Sequence, residues 1–203
     1  HNNIEGSIGM IASQMAKSIS RAARKLALSD EDKQHLEAFE GLRDLIRDRV
    51  QQVACGFQTS CCIVGRPGTL KTVTTVETLK SLDVPWHLWN ARMSPMGLWC
   101  VMRENPRGVI VADDLGTLQT GSNKAGLQVL LAGLGGEPGE GRRVSYATKE
   151  DRNSFLFYGG LIALGNSLPR RDPVADAFVS RVRLLEHEPS DEMIAAFMRA
   201  EAL

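Results

Sequence analysis

Cys61-Cys62-Ile63-Val64-Gly65-Arg66-Pro67-Gly68-Thr69-Leu70-Lys71-Thr72 decides the fold. Four apolar residues in a row read as a buried strand. The next six carry two glycines and a proline and read as a turn, and Lys71-Thr72 opens a helix. This is the layout of a phosphate-binding loop. Glycines let backbone amides face inward, and the helix N-terminus adds partial positive charge. The lysine reaches the β- and γ-phosphates, and the threonine hydroxyl ligates Mg²⁺. Gly65, Arg66, Pro67, Gly68, Thr69, Leu70, Lys71 and Thr72 are the candidate nucleotide-binding residues. One position departs from the strict pattern: Leu70 stands where glycine is expected before the lysine.

Outward from this loop, strands and helices alternate. Residues 72–82 read as a helix and residues 86–89 as a second strand. Ser94-Pro95 reads as an N-cap followed by proline at the first helical position, opening a helix to about Arg103. Val109-Ile110-Val111-Ala112 is a buried strand that ends in Asp113-Asp114, and residues 124–134 are helical. Residues 142–147 and 155–158 read as two strands joined by a polar tip. Leu161-Ile162-Ala163-Leu164 is a further buried strand, followed by Gly165-Asn166-Ser167. A short helix over 174–180, a last strand over 182–185 and a helix from Asp191 to about Ala200 complete the series. Alternation with continuous apolar strands predicts a parallel sheet covered by helices on both faces. Before the loop, residues 8–27 read as an amphipathic helix with a basic side of Lys17, Arg21, Arg24 and Lys25. Ser29-Asp30-Glu31-Asp32 starts a second helix to about Val53.

The 203 residues suffice for one domain with a sizeable core, or one domain and a small appendage. A formal net charge of +0 argues against a constitutively basic nucleic-acid binder, though it permits a local basic patch. No apolar run approaches the roughly 20 residues that span a bilayer, so no membrane partner is expected. Cys55, Cys61, Cys62 and Cys100 lack metal-ligand spacing and read as small apolar residues of a reducing compartment; the cytoplasm is the expected location. His1-Asn2-Asn3 reads as a tagged or cut start.

A phosphate loop requires a second acidic site, because Mg²⁺ is a hard cation that takes carboxylate oxygens. Asp113 and Asp114 end an apolar strand, where α/β sheets place their ligands. Asp113 is the candidate metal ligand with Thr72, and Asp114 the candidate for orienting the attacking water. Asn166, at the tip of the 161–164 strand, would place an amide beside the γ-phosphate. Arg181, between a short helix and the last strand, could stabilise transition-state charge from a neighbouring subunit. Lys71, Asp114, Asn166 and Arg181 form the candidate catalytic set.

The order of these elements resembles the AAA+ family of ring-forming P-loop ATPases, over residues 42–203. The residues that carry the resemblance are 65–72, 109–114, 161–166 and Val179-Ser180-Arg181-Val182. The resemblance implies sheet order 5-1-4-3-2, Asn166 as sensor 1, Arg181 as a finger acting in trans, and ATP with Mg²⁺ as cofactors. It implies an N-terminal helical extension over 1–53, an ATPase core over 54–188, and the start of a helical lid over 189–203. Three departures stand out: Leu70 for glycine, Asp114 for the usual glutamate, and a lid reduced to its first helix, as in a minimal or truncated lid.

Pore-facing loops of such rings grip substrate. Asn90-Ala91-Arg92-Met93 is one candidate. The other is the hairpin before the sensor strand, whose Arg142, Arg143, Lys149 and Arg152 would contact nucleic-acid phosphates. It resembles the insertion of helicase, initiator and transposition-regulator members. Trp86, Trp89 and Trp99 read as core rather than base-stacking residues. The expected function is thus an ATP-hydrolysing protein that self-associates into a ring or filament and acts on DNA. The alternatives are a nucleotide-gated assembly module with little hydrolysis and a protein-remodelling ATPase.

Overall fold

Every residue of β1 (Ser60–Val64) is buried, as expected of a central strand with a neighbour on each side. A computed structural model of the chain describes residues 28–90, 94–114, 124–147, 152–168 and 173–202. The helix expected over 8–27, Ala91-Arg92-Met93 and Lys149 lie outside the described residues. The chain divides into two compact units, residues 1–42 with 189–203, and residues 43–188.

The larger unit holds a five-stranded parallel sheet with flanking helices. Its elements are β1, α2 (Lys71–Ser81), β2 (Trp86–Asn90), α3 (Pro95–Glu104), β3 (Val109–Asp113), α4 (Lys124–Leu134), a hairpin of β4 (Arg142–Ala147) and β5 (Arg152–Phe157), β6 (Leu161–Gly165), α5 (Pro173–Val179) and β7 (Arg183–Glu186). The sheet order is β2-β3-β6-β1-β7, and every pairing in it is parallel. β4 and β5 form a separate antiparallel pair. β5 begins at Arg152, so the polar tip is shorter than the sequence suggests and Ser154 pairs with Ser145.

Strand alternation sorts the core into two layers. Cys62, Val64, Ile110, Ala112 and Ala163 pack on one face with Leu98, Trp99 and Met102 of α3, Leu127, Leu130 and Leu134 of α4, and Val144 and Phe157 of the hairpin. Cys61, Ile63, Val109, Val111, Ile162 and Leu164 pack on the other with Leu79 of α2 and Ile46, Val50 and Val53. Those last three lie on α1 (Asp30–Ala54), which contributes residues 43–54 to this unit. Fully burying one such aliphatic side chain contributes about 1.5–3 kcal/mol. Burial pushes the Cys61 and Cys62 thiols up to about 12, so both act as apolar core residues.

Local signals explain the helix starts. Ser94 Oγ accepts the Gly97 N–H at 3.1 Å, with Pro95 as the first helical residue. In the smaller unit Ser29 Oγ accepts the Asp32 N–H at 3.1 Å and opens α1. There Leu28, Leu36, Ala196 and Ala200 form a core, Phe39 packs on Phe197 at 5.1 Å, and Arg199 of α6 (Asp191–Ala202) pairs with Asp32. No helix among the described residues is long and apolar enough to cross a membrane.

Candidate functional site

The carboxyl edge of the sheet gathers residues from segments distant in sequence. A cleft of about 290 Å³ there is lined by Pro67 to Val73, Asp113, Asp114, Gly165 and Asn166. Lys71, Thr72, Asp113, Asp114 and Asn166 thus come together as the sequence reading expects.

The loop that forms one wall is shaped by its backbone. Gly65 follows β1 where the chain passes against the end of β7. A Cβ at Gly65 would stand 2.0 Å from the His187 carbonyl oxygen, so no larger residue fits. Gly68 lies at φ +78°, a conformation that favours glycine. Leu70 takes φ 63° and ψ 18° as the residue capping α2, and no side-chain cap is made. Leucine has no oxygen with which to cover a first-turn N–H. The left-handed region costs an L-residue about 1–2 kcal/mol. Asp114 lies there too, at φ 63°. Of the three non-glycine residues at positive φ among the described residues, Leu70 and Asp114 line this cleft and Asp83 does not.

Lys71 is buried and folds back on the loop. Its Nζ donates to the carbonyls of Gly65 at 2.7 Å and Arg66 at 2.6 Å, with Thr69 Oγ1 at 3.3 Å. Burial holds the ammonium pKa below its ordinary value, and the charges of Glu188 and Asp113 act against this. Across the cleft, Thr72 Oγ1 stands 3.4 and 3.3 Å from the two carboxylate oxygens of Asp113. Asp113 Oδ1 also accepts the Asp114 N–H at 3.0 Å, which fixes the carboxylate's orientation. Hard oxygen donors converge here. One carboxylate and one hydroxyl are the donor set that a Mg²⁺ ion shared with a phosphate chain requires, so the residues fit that ion. Asn166 is exposed at the end of β6, on the rim.

Arg181 is not part of this cleft. It precedes β7, and its carbonyl accepts from Ser60 Oγ at 3.3 Å, beside the first residue of β1. The loop of residues 65–70 leaves the other end of β1, about 15 Å away for a five-residue strand. Arg181 is exposed at the amino edge of the sheet, lining a second hollow with Gln58, Glu137 and Arg183.

The hairpin corrects one expectation. Arg142 is buried, donates to the Gly159 carbonyl, and stacks its guanidinium 5.2 Å from the Phe157 ring centre. A guanidinium turned inward like this is not presented to an external polyanion. Arg143, one residue on, is exposed and donates to Ser154 Oγ at 3.1 Å. Arg152 opens β5, but its side chain lies outside the described residues. Trp89 and Trp99 are buried in the core and Trp86 is half-buried. Trp99 packs edge-on against Phe155 at 5.5 Å and ties the hairpin to α3.

Two residues that the sequence reading did not single out hold elements beside the cleft, Arg43 on α2 and His187 on the loop. Buried Arg43 donates from Nε to Thr74 Oγ1 at 3.0 Å and pairs with Glu77 at 3.3 Å, joining α1 to α2. Its spacing from Ile46 and Val50 is helical, which could have marked it as inward-facing. His187 is buried with Nε2 2.9 Å from the Thr69 carbonyl. A single histidine after the last strand carries no pattern that points to it. No family model matches the sequence, and neither does any curated protein.

Proposed function

We propose that this chain is an ATP-binding and ATP-hydrolysing protein of the AAA+ type that self-associates and acts on DNA. The observation that carries the reading is the convergence of Lys71, Thr72, Asp113, Asp114 and Asn166 on one cleft. The sheet order supports it: with the hairpin strands set aside, β7-β1-β6-β3-β2 counts as 5-1-4-3-2.

In this reading the first-turn amides of α2 and the Lys71 ammonium hold the phosphate chain. Lys71 exchanges loop carbonyls for phosphate oxygens. The cleft volume suits a phosphate chain, leaving ribose and base toward the open rim. Thr72 and Asp113 would hold Mg²⁺, which supplies charge neutralisation along the phosphates when bound. Asp114 orients the attacking water, and Asn166 sets its amide beside the γ-phosphate. Arg181, a strand's length from its own cleft, serves a neighbour's γ-phosphate in a ring or filament. Exposed Arg143, with Lys149 and Arg152, is the proposed DNA contact.

A second reading is a nucleotide-gated assembly module that hydrolyses slowly. It draws on the left-handed backbone of Leu70 and Asp114 and on the short reach of an aspartate where a glutamate is usual. Steady-state MgATP turnover across a range of protein concentrations distinguishes the two. The ATPase reading expects turnover per subunit to rise with concentration, to fall in Arg181→Ala, and to vanish in Asp114→Asn while ATP binding persists. Turnover unchanged in Asp114→Asn would remove that residue from the reaction.

A further inference from the structure

We propose that His187 is the positioning residue of the phosphate loop, clamping it from the end of β7. The proposal rests on the nucleotide reading of the cleft. Three contacts, all within residues 43–188, carry it. The His187 backbone N–H donates to the Val64 carbonyl at 2.7 Å, which fixes the residue beside the end of β1. Its carbonyl lies where a Cβ on Gly65 would fall, so the loop's first residue passes directly against it. Its side chain, 1% exposed, places Nε2 2.9 Å from the Thr69 carbonyl. Because the acceptor is a carbonyl, Nε2 carries the proton.

Thr69 is the centre of the loop's own bonding. Its hydroxyl donates to the Arg66 carbonyl at 2.9 Å and stands 3.3 Å from Lys71 Nζ. A clamp on Thr69 therefore also sets where the Lys71 ammonium sits. His187 does not line the cleft and touches no substrate position, so it acts through the loop.

The electrostatic surroundings add a pH dependence. Burial lowers the His187 pKa below its ordinary value. The Thr69 carbonyl and the Glu188 carboxylate raise it, and the Lys71 and Arg43 cations lower it further. Burial outweighs the Thr69 contact, so a closed loop that excludes water favours the neutral ring, whereas a loop opened to water brings His187 toward the ordinary value of about 6.5. Acidification through that value gives protons to the released form and opens the clamp.

The test is calorimetric titration of MgATP into the wild type, His187→Ala and His187→Gln at about pH 7.5 and about pH 5.5. A glutamine side-chain N–H can stand in for Nε2 but does not titrate. At the higher pH, His187→Ala should bind about tenfold more weakly than the wild type, and His187→Gln within about threefold of it. Comparing wild type and His187→Gln at each pH cancels the titration of ATP itself. The wild type should lose at least about threefold relative to His187→Gln on acidification. If His187→Ala does not fold, that pH comparison decides alone. Wild-type affinity in His187→Ala, or a wild-type to His187→Gln ratio equal at both pH values, overturns the clamp and leaves the nucleotide reading standing. A wild type that binds no MgATP at either pH overturns the nucleotide reading instead.

Discussion

The loop of residues 65–72 and the β4–β5 hairpin both show basic residues in short polar stretches, yet the structure treats them differently. In the loop, Lys71 lines the cleft, and its Nζ is held by the carbonyls of Gly65 and Arg66. In the hairpin, neighbouring arginines part company. Arg142 goes into the core and Arg143 to the surface. A strand turns successive side chains to opposite faces, so adjacent like residues cannot share a role there. Placement set by a backbone turn transfers from sequence to structure; a role assigned to a strand's side chain requires the face to be known first.

The sharpest way to break the comparison is Gly65→Ala. The added Cβ must displace the His187 backbone, and overpacking against backbone is costly. Denaturant unfolding should show a loss of about 3 kcal/mol. A loss under about 0.5 kcal/mol, the range of ordinary surface changes, would mean that the loop's start is not held against β7. Next comes the arginine pair. Arg142→Ala should cost about 2 kcal/mol, from a lost charged hydrogen bond and an unsatisfied Gly159 carbonyl. Arg143→Ala should stay within about 0.5 kcal/mol. Equal costs would erase the distinction between the faces. The smallest effect belongs to Leu70→Gly. Relief of the left-handed strain, about 1–2 kcal/mol, outweighs the added freedom of an unfolded glycine, about 0.5–1 kcal/mol. The variant should gain about 0.5–1 kcal/mol in the same unfolding measurement, and a loss would show that the Leu70 side chain packs more than it strains.

Much of this was legible in advance, for physical reasons. The runs 61–64, 109–112 and 161–164 are apolar at every position, which only a strand covered on both faces tolerates, and all three are central strands. Ser94-Pro95 marked the start of α3 through the cap it makes. Arg142 was misread as a DNA contact, although it shares a strand face with the apolar Val144 and Tyr146. Leu70 read as a flaw in a motif. The structure shows instead that it adopts the backbone conformation a glycine would take at that point, at the expense of strain. The contacts of Arg43 with α2 and of His187 with the loop were not legible, because each joins residues far apart in sequence and no local periodicity records such a contact.

The central claim is that residues 65–72 hold the phosphates of a nucleotide through Lys71. Calorimetric titration of MgATP into the wild type and Lys71→Ala, with both shown to be folded, tests it directly. Wild-type binding that weakens about a hundredfold in the variant is the result predicted for the loss of a buried charge partner. Equal affinity in the two proteins, or no binding by the wild type, would contradict it.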